Sequence, residues 1–147
     1  MLELNELLVP MDFSPAARQT FAQALTMVDG DSPAVILLHV IDPVLVDAIS
    51  SVTGEPAAEV AGRLRTRAED EMAAMADSAA DVEIVRMVTE GTPFYEIARH
   101  ADELAVDAVV IAKTGQRDAR EGLFFGSTAE KVVRACRQPV IVLTHDA

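Results

Sequence analysis

Five short runs of apolar residues constrain the fold of this chain more than any other feature. They cover Leu7–Met11, Ala34–Ile41, Val82–Val88, Ala108–Ala112 and Val140–Leu143. Near-continuous Val, Ile and Leu are typical of strands that are buried on both faces, as in parallel sheets. Segments with a helical pattern separate consecutive runs, which implies right-handed crossovers. The sequence therefore predicts a single-domain α/β fold, a parallel sheet between two layers of helices.

Capping residues mark the helices of the first half. Ser14 followed by Pro15 is a typical helix start, and Gly30 suits its end. The stretch Ala57–Ala80 is rich in Ala, Glu, Arg and Met and predicts a second helix. Between the second strand and this helix, the segment from Asp42 to Pro56 shows no clear pattern, and we expect an irregular loop there.

Two further helices are predicted in the second half. Thr92-Pro93 begins one of them, with Ile97, Ala101 and Leu104 expected to face inward. Ser127-Thr128-Ala129-Glu130 has the spacing of a capping box and begins the other. The same helical pattern continues to Cys136, which we expect to pack as a small hydrophobe.

Composition and charge exclude several classes of partner. The 147 residues are half apolar, enough for one core, and carry a formal charge of −12. Such a field repels nucleic acid backbones and anionic lipid surfaces, so neither is expected as a partner. A single cysteine suits a reducing compartment. The N-terminal segment lacks the basic region of a signal peptide, and no run reaches the roughly 18 apolar residues of a membrane span, so a cytoplasmic location is expected.

The end of the first strand is one candidate site. In open α/β sheets, ligands bind beyond the carboxyl ends of the strands, where the strand order reverses. There the sequence reads Pro10-Met11-Asp12-Phe13-Ser14. Asp12 could accept hydrogen bonds from a ligand or help to hold Mg²⁺ beside phosphates. The alternative is that Asp12 forms an Asx turn that leads into the helix.

The end of the fourth strand is the second candidate. Ala112-Lys113-Thr114-Gly115 begins a loop that runs to Gly126-Ser127-Thr128 at a helix start. A helix N-terminus offers backbone N–H groups and a positive dipole end to phosphate. The spacing is not that of a Walker A loop, because Lys131 follows Gly126 by five residues and lies within the helix. A capping role for Ser127 is the alternative, and it is compatible with phosphate contact through Thr128.

Along nearly its whole length the chain resembles the universal stress protein family. The matching segments are LLVPMDFSPAA, VILLHVID, EGTPFYEIARHADELAVDAVVIA, KTGQRDAREGLFFGSTAEKVV and QPVIVL. The resemblance implies one such domain over residues 1–147. It also implies a Rossmann-like fold of the adenine nucleotide alpha hydrolase type, with a five-stranded parallel sheet of order 3-2-1-4-5. In that order the ends of strands one and four, the two candidate sites, lie side by side.

Many members of that family bind ATP or another adenine nucleotide through a G-x-x-G, nine-residue, G-[ST] pattern. This chain departs from the pattern twice, because Ala112 replaces the first glycine and ten residues separate Gly115 from Gly126. The added methyl is tolerable only where φ is negative. Carried over from the family, Pro10, Met11 and Asp12 flank the adenosine and Val40 lines the base or ribose pocket, whereas Ala112, Lys113, Gly115, Gly126, Ser127 and Thr128 surround the phosphates, with Mg²⁺ beside Asp12.

Three kinds of function differ in how well these residues fit them. The leading one is a stress-response or regulatory protein that binds ATP or a related nucleotide, with slow hydrolysis at most, because no activated nucleophile or general base is apparent. The second is a nucleotide-independent module that dimerises through the apolar edge strand Pro139–Leu143, as family members commonly do, and contacts a regulatory protein. The third is a receiver-type enzyme. It is disfavoured because such an enzyme requires two acidic residues after strand one, and only Asp12 follows that strand.

The sequence indicates no ligand role for the histidines. His39 lies inside the second apolar run, and we expect a core or strand-end residue there, because no partner has the spacing of a metal site. His100 is expected on a helix surface. The pattern contains no Ser-His-Asp or Cys-His arrangement.

Overall fold

Strands and helices alternate throughout the part of the chain that the structure covers. The computed structural model describes residues 3–79, 81–114 and 125–145. The strands are β1 (Glu6–Pro10), β2 (Ala34–Ile41), β3 (Glu83–Glu90), β4 (Ala108–Ala112) and β5 (Val140–Leu143). The helices are α1 (Pro15–Met27), α2 (Pro43–Thr53), α3 (Ala57–Asp77), α4 (Pro93–Glu103) and α5 (Ser127–Ala135).

All strand pairs are parallel, and the sheet has the order β3-β2-β1-β4-β5. The predicted fold class and strand order are therefore confirmed. β1 is the central strand, with Leu8 aligned with Ile36 of β2 on one side and with Val109 of β4 on the other. The chain builds outward from β1 through β2 and β3, then returns to β4 on the opposite side. This reversal is the switch point at which such sheets bind ligands.

The core has one apolar layer on each face of the sheet. On one face, Leu7 and Leu37 pack with Phe21 of α1 and Met72 of α3. On the other face, Leu8 packs among residues of α4 and α5. Consecutive residues of β1 thus enter opposite layers, as the alternation of side chains along a strand requires. This double burial explains why the strands read as unbroken apolar runs.

The expected loop from Asp42 to Pro56 was wrong, because α2 occupies most of it. Asp42 caps the helix by accepting a hydrogen bond from the Val44 amide at 2.9 Å. Gly54, with φ +75°, ends it. These are ordinary start and stop signals. Helical periodicity was hidden because Val46 alone among the residues of α2 is fully buried, while the other apolar side chains of the helix are partly or largely exposed.

Two other helix features differ from the prediction. Leu104 was expected to face inward, but it lies just after the last residue of α4 and is exposed. His100 was expected at the surface, but its side chain is buried, and its Nδ1 lies 2.8 Å from the Glu96 carbonyl oxygen. Each position lies one helical turn from a residue of the apolar layer beneath α4 and α5. The helical pattern alone therefore could not show which of the two side chains is buried.

The predicted helix start at Ser14 is confirmed, as is the packing of Cys136. Ser14 Oγ accepts a hydrogen bond from the Ala17 amide at 3.1 Å. Cys136 follows α5 directly and lies partly buried against the apolar layer beneath α4 and α5. Burial raises the pKa of the Cys136 thiol, which keeps it protonated and unreactive near neutral pH.

Candidate functional site

A cleft of about 470 Å³ opens where the carboxyl ends of β1, β2 and β4 meet at the switch point. The starts of α1, α2, α4 and α5 and the middle of α3 complete its walls. The fold therefore brings the two candidate sites together. From the strand ends the cleft is lined by residues 10–14, 38–42, 111, 112 and 114, and from α5 by residues 126–129.

The turn after β1 forms the floor of the cleft. Asp12 Oδ1 accepts a hydrogen bond from the Ser14 amide at 3.0 Å, so the Asx turn is present. The carboxylate is nevertheless exposed and lines the cleft. Between these residues, Phe13 adopts a φ of +64°, a left-handed conformation that a bulky residue rarely takes. The turn thus holds the Asp12 side chain at the cleft while it starts α1.

The end of β2 contributes two residues that point to opposite faces of the sheet. Val40 packs toward the layer beneath α4 and α5, and its place at the cleft agrees with the sequence prediction. His39 lies on the α1 side, with Nδ1 2.7 Å from the Met11 carbonyl oxygen and its ring centroid 5.0 Å from that of Phe13. His39 lines the cleft as well, a role that the sequence did not indicate.

Ala112 and the start of α5 form the opposite wall. Ala112 ends β4 and does not have a positive φ, so its methyl group causes no backbone strain. The Gly126 amide donates to the Lys113 carbonyl oxygen at 2.7 Å, which holds the start of α5 beside the end of β4. The Lys113 side chain is not part of the cleft wall. Gly115 and most of the predicted phosphate loop lie outside the described residues.

The predicted capping box at α5, with Ser127 as the cap, was wrong. Gly126, which has no side chain, occupies the cap position, and Ser127 is the first helical residue. The Glu130 carboxylate pairs with Arg134 at 2.9 Å. Residues 127–129 precede the first backbone bond of the helix, which runs from the Glu130 amide to the Gly126 carbonyl oxygen. These three residues line the cleft, so the positive end of the α5 dipole faces it.

Charged side chains of α1 and α3 form a third wall, which the sequence did not predict. One oxygen of the Glu71 carboxylate lies 3.2 Å from Arg18 Nη2, and the other lies 3.3 Å from Arg67 Nε. Arg18 also lies above the Phe13 ring, 5.5 Å from its centroid. Two guanidinium groups thus share one carboxylate at the rim of the cleft, in a chain that is otherwise strongly acidic.

Metal-binding clusters and membrane-spanning helices are both absent from the part of the chain that the structure describes. Residues 3–79, 81–114 and 125–145 contain no group of three His, Cys, Asp or Glu side chains arranged to hold a metal ion. No helix in that part of the chain is both long and apolar enough to cross a membrane.

Sequence comparison identifies the family. A sequence model of the universal stress protein family matches residues 4–144. The chain belongs to the universal stress protein family. This universal stress protein is 26% identical over 153 aligned residues to universal stress protein MJ0577 of Methanocaldococcus jannaschii, an alignment that covers 95% of this chain and 94% of the relative.

Solved structures of the family share the fold. The structure of MJ0577 superposes with a TM-score of 0.85 at 24% identity and covers 98% of both chains. A universal stress protein in complex with cAMP gives a TM-score of 0.63 at 18% identity, over 98% of this chain and 99% of the other. An Arabidopsis thaliana family member with AMP bound gives 0.64 at 16% identity, over 97% and 93%.

Proposed function

We propose that this universal stress protein binds an adenine nucleotide in the cleft at the switch point of its sheet. The observation that carries the proposal is the meeting of two features in one cavity: the Asp12 turn after β1 and the N-terminus of α5 beside β4. The cleft is large enough for such a ligand, since small-molecule pockets begin near about 300 Å³. Relatives of the same fold are known with AMP and with cAMP bound.

The sequence-predicted residues take two roles in this proposal. Pro10, Met11, Asp12 and Val40 contact the adenosine. Ala112, Gly126, Ser127 and Thr128 surround the phosphates, to which the backbone beside Lys113 and Gly115 also contributes. A nucleotide-bound Mg²⁺ lies beside the Asp12 carboxylate, because Mg²⁺ is commonly held by one or two carboxylates together with substrate phosphates.

The nucleotide acts here as a regulatory ligand rather than as a substrate that is turned over quickly. Its binding orders the cleft and thereby alters the contacts of the protein with a partner in a stress response. We favour ATP or AMP in a cytoplasmic setting, where the single thiol of Cys136 stays reduced. The cleft and the nucleotide-bound relatives favour this function over a module that acts without nucleotide.

Ligand-dependent thermal stability tests the proposed function. A ligand that binds only the folded state stabilises it by about 2.7 kcal/mol at a concentration of 100 times its Kd. We expect AMP and ATP, with and without Mg²⁺, to raise the melting temperature, whereas CMP serves as a control with an equal phosphate and a different base. No shift with either adenine nucleotide at millimolar concentration, together with an empty cleft in co-crystals, would contradict the proposal.

A homodimer formed through β5 is the second proposal. β5 lies at the edge of the sheet. The amides of Val109 and Lys113 donate to the carbonyl oxygens of Pro139 and Leu143. Backbone groups alternate in direction along a strand, so those of Val140 and Val142 face away from β4, toward the open edge. An open edge of this kind can pair with the same strand of a second copy.

Replacing Val142 with proline is expected to convert the dimer to a monomer. Proline lacks the N–H that faces the open edge, while the hydrogen bonds to β4 use other residues. Sedimentation velocity at micromolar concentration measures the change. The matched control is Arg86→Pro on β3, the opposite edge strand, where the Glu83 amide faces Pro33 and Arg86 therefore faces outward. A Val142→Pro protein that remains dimeric would exclude this interface.

A further inference from the structure

The hydrogen bond between His39 and Met11 fixes the tautomer of the imidazole ring. The Nδ1 atom lies 2.7 Å from the Met11 carbonyl oxygen. A carbonyl oxygen can only accept, so Nδ1 must carry the hydrogen atom. In the neutral ring the other nitrogen, Nε2, is then an acceptor with its lone pair available.

The Nε2 atom of His39 is accessible from the cleft. Among the described residues, no hydrogen bond or ion pair involves this atom. It is also not a buried atom without a partner, because Gln138 Oε1 is the one side-chain atom of that kind in the described part of the chain. Nε2 therefore contacts solvent. His39 lines the cleft, and the other side of its ring is covered by Phe13 and the turn after β1. The solvent that contacts Nε2 is therefore the solvent in the cleft.

The surroundings of His39 favour the neutral ring. Burial lowers the pKa of His39 below its ordinary value near 6.5, and this effect exceeds the opposing influences of the Met11 carbonyl, Asp12 and Glu71. The Glu71 carboxylate, on α3, is itself paired with Arg18 and Arg67. Near neutral pH the ring thus presents an acceptor, not a donor, in a cleft whose α5 wall is the positive end of a helix dipole.

We propose that His39 is a specificity-determining residue, whose Nε2 accepts a hydrogen bond from an N–H or O–H group of the bound nucleoside. The inference rests on the proposed function and adds a residue to it. Two groups of an adenine nucleotide supply this chemistry, the exocyclic amino group of the base and the hydroxyl groups of the ribose. A ligand with a carbonyl oxygen at that position would place two acceptors against each other and be rejected.

Two substitutions of His39 separate the acceptor from the structural bond. In His39→Asn the side-chain amide is at the distance of Nδ1 and can still donate to Met11, but the acceptor at Nε2 is lost. In His39→Gln the amide oxygen lies near the position of Nε2 and can accept. We expect His39→Asn to bind AMP about 3- to 10-fold more weakly, as for loss of one neutral hydrogen bond, and His39→Gln to retain more of the affinity.

Analogues of AMP identify the donor. The probes are purine riboside 5′-monophosphate, which lacks the amino group, and the 2′-deoxy and 3′-deoxy forms of AMP. The analogue without the relevant donor should bind the wild type about 3- to 10-fold more weakly than AMP does, but should bind His39→Asn as well as AMP does, because both partners of one bond are then absent. If the affinity of every analogue relative to AMP is the same in the wild type and in His39→Asn, then His39 accepts no hydrogen bond from the ligand and the inference fails.

The pH dependence of adenosine affinity distinguishes a hydrogen bond to the ligand from a purely structural role of His39, because a structural role would leave this dependence unchanged. Adenosine has no phosphate, so the titration of that group near about pH 6 does not enter. Between about pH 8 and pH 5, protonation of His39 converts Nε2 into a donor, so affinity should fall as the pH passes below the pKa of His39, which lies under 6.5. His39→Asn should show no such fall. A profile that is equal in both proteins would overturn the inference, whereas absence of AMP binding by the wild type would instead refute the proposed function.

Discussion

An aspartate in place of Ser127 is expected to weaken nucleotide binding severely without harming the fold. Residue 127 is the first of α5, where a carboxylate favours the helix by about 0.3–1 kcal/mol through the dipole. The same carboxylate would lie beside the proposed phosphate, and like charges in contact cost several kcal/mol. We therefore expect affinity for AMP, measured by calorimetry without Mg²⁺, to fall by at least about 100-fold.

Three controls make the Ser127→Asp result specific. Gln23→Glu adds the same charge on an exposed part of α1 that does not line the cleft, and it should bind AMP normally. Ser127→Ala removes only the hydroxyl group and should cost less than about 10-fold. Adenosine, which lacks the phosphate, should bind Ser127→Asp and wild type alike. If Ser127→Asp binds AMP with unchanged affinity, the phosphate is not bound at α5.

The sheet could be predicted from the sequence because the apolar residues of each strand indicate a buried strand without reference to the rest of the chain. The runs from Ala34 to Ile41 and from Ala108 to Ala112 are buried on both faces, so nearly every residue had to be apolar, and both strands were predicted with the bounds that the structure has. The edge strand β3 was placed less accurately, over 82–88 rather than Glu83–Glu90. One face of an edge strand tolerates polar residues such as Arg86, and this blurs the pattern.

The lining of the cleft was predicted only where its residues follow a strand or begin a helix. Asp12 and Gly126 were found because topology brings strand ends and helix starts to one place, whereas Val40 was carried over from the family resemblance. Arg18 and Glu71 lie inside helices, and their position at the cleft depends on how α1 and α3 pack over the sheet. His39 was missed for a related reason. A single histidine in an apolar run is ordinary, and its orientation depends on the Met11 carbonyl of a neighbouring strand end.

A methyl group added at Gly91 should damage the fold strongly. It joins β3 to the start of α4 with φ +151°, a conformation that other residues rarely adopt. A Cβ atom there would lie 2.7 Å from Cγ and 2.9 Å from Oε1 of Glu96. Glu96 is buried, and its carboxylate is 2.6 Å from Arg99 Nη2. Relief of the clash would therefore displace a buried carboxylate from its ion pair with the partly exposed Arg99, so Gly91→Ala should lower the free energy of unfolding by about 2–4 kcal/mol.

Urea denaturation of three further proteins shows whether this explanation holds. Gly62→Ala is the matched control: Gly62 lies inside α3, nothing lies within 4 Å of a Cβ added there, and alanine should raise the stability by about 1 kcal/mol. In a Glu96→Ala background the clash is absent, so Gly91→Ala should then cost only the backbone strain, about 1–2 kcal/mol. An equal loss in both backgrounds would show that the Glu96 contact is irrelevant. No loss in either would mean that Gly91 does not need its left-handed conformation.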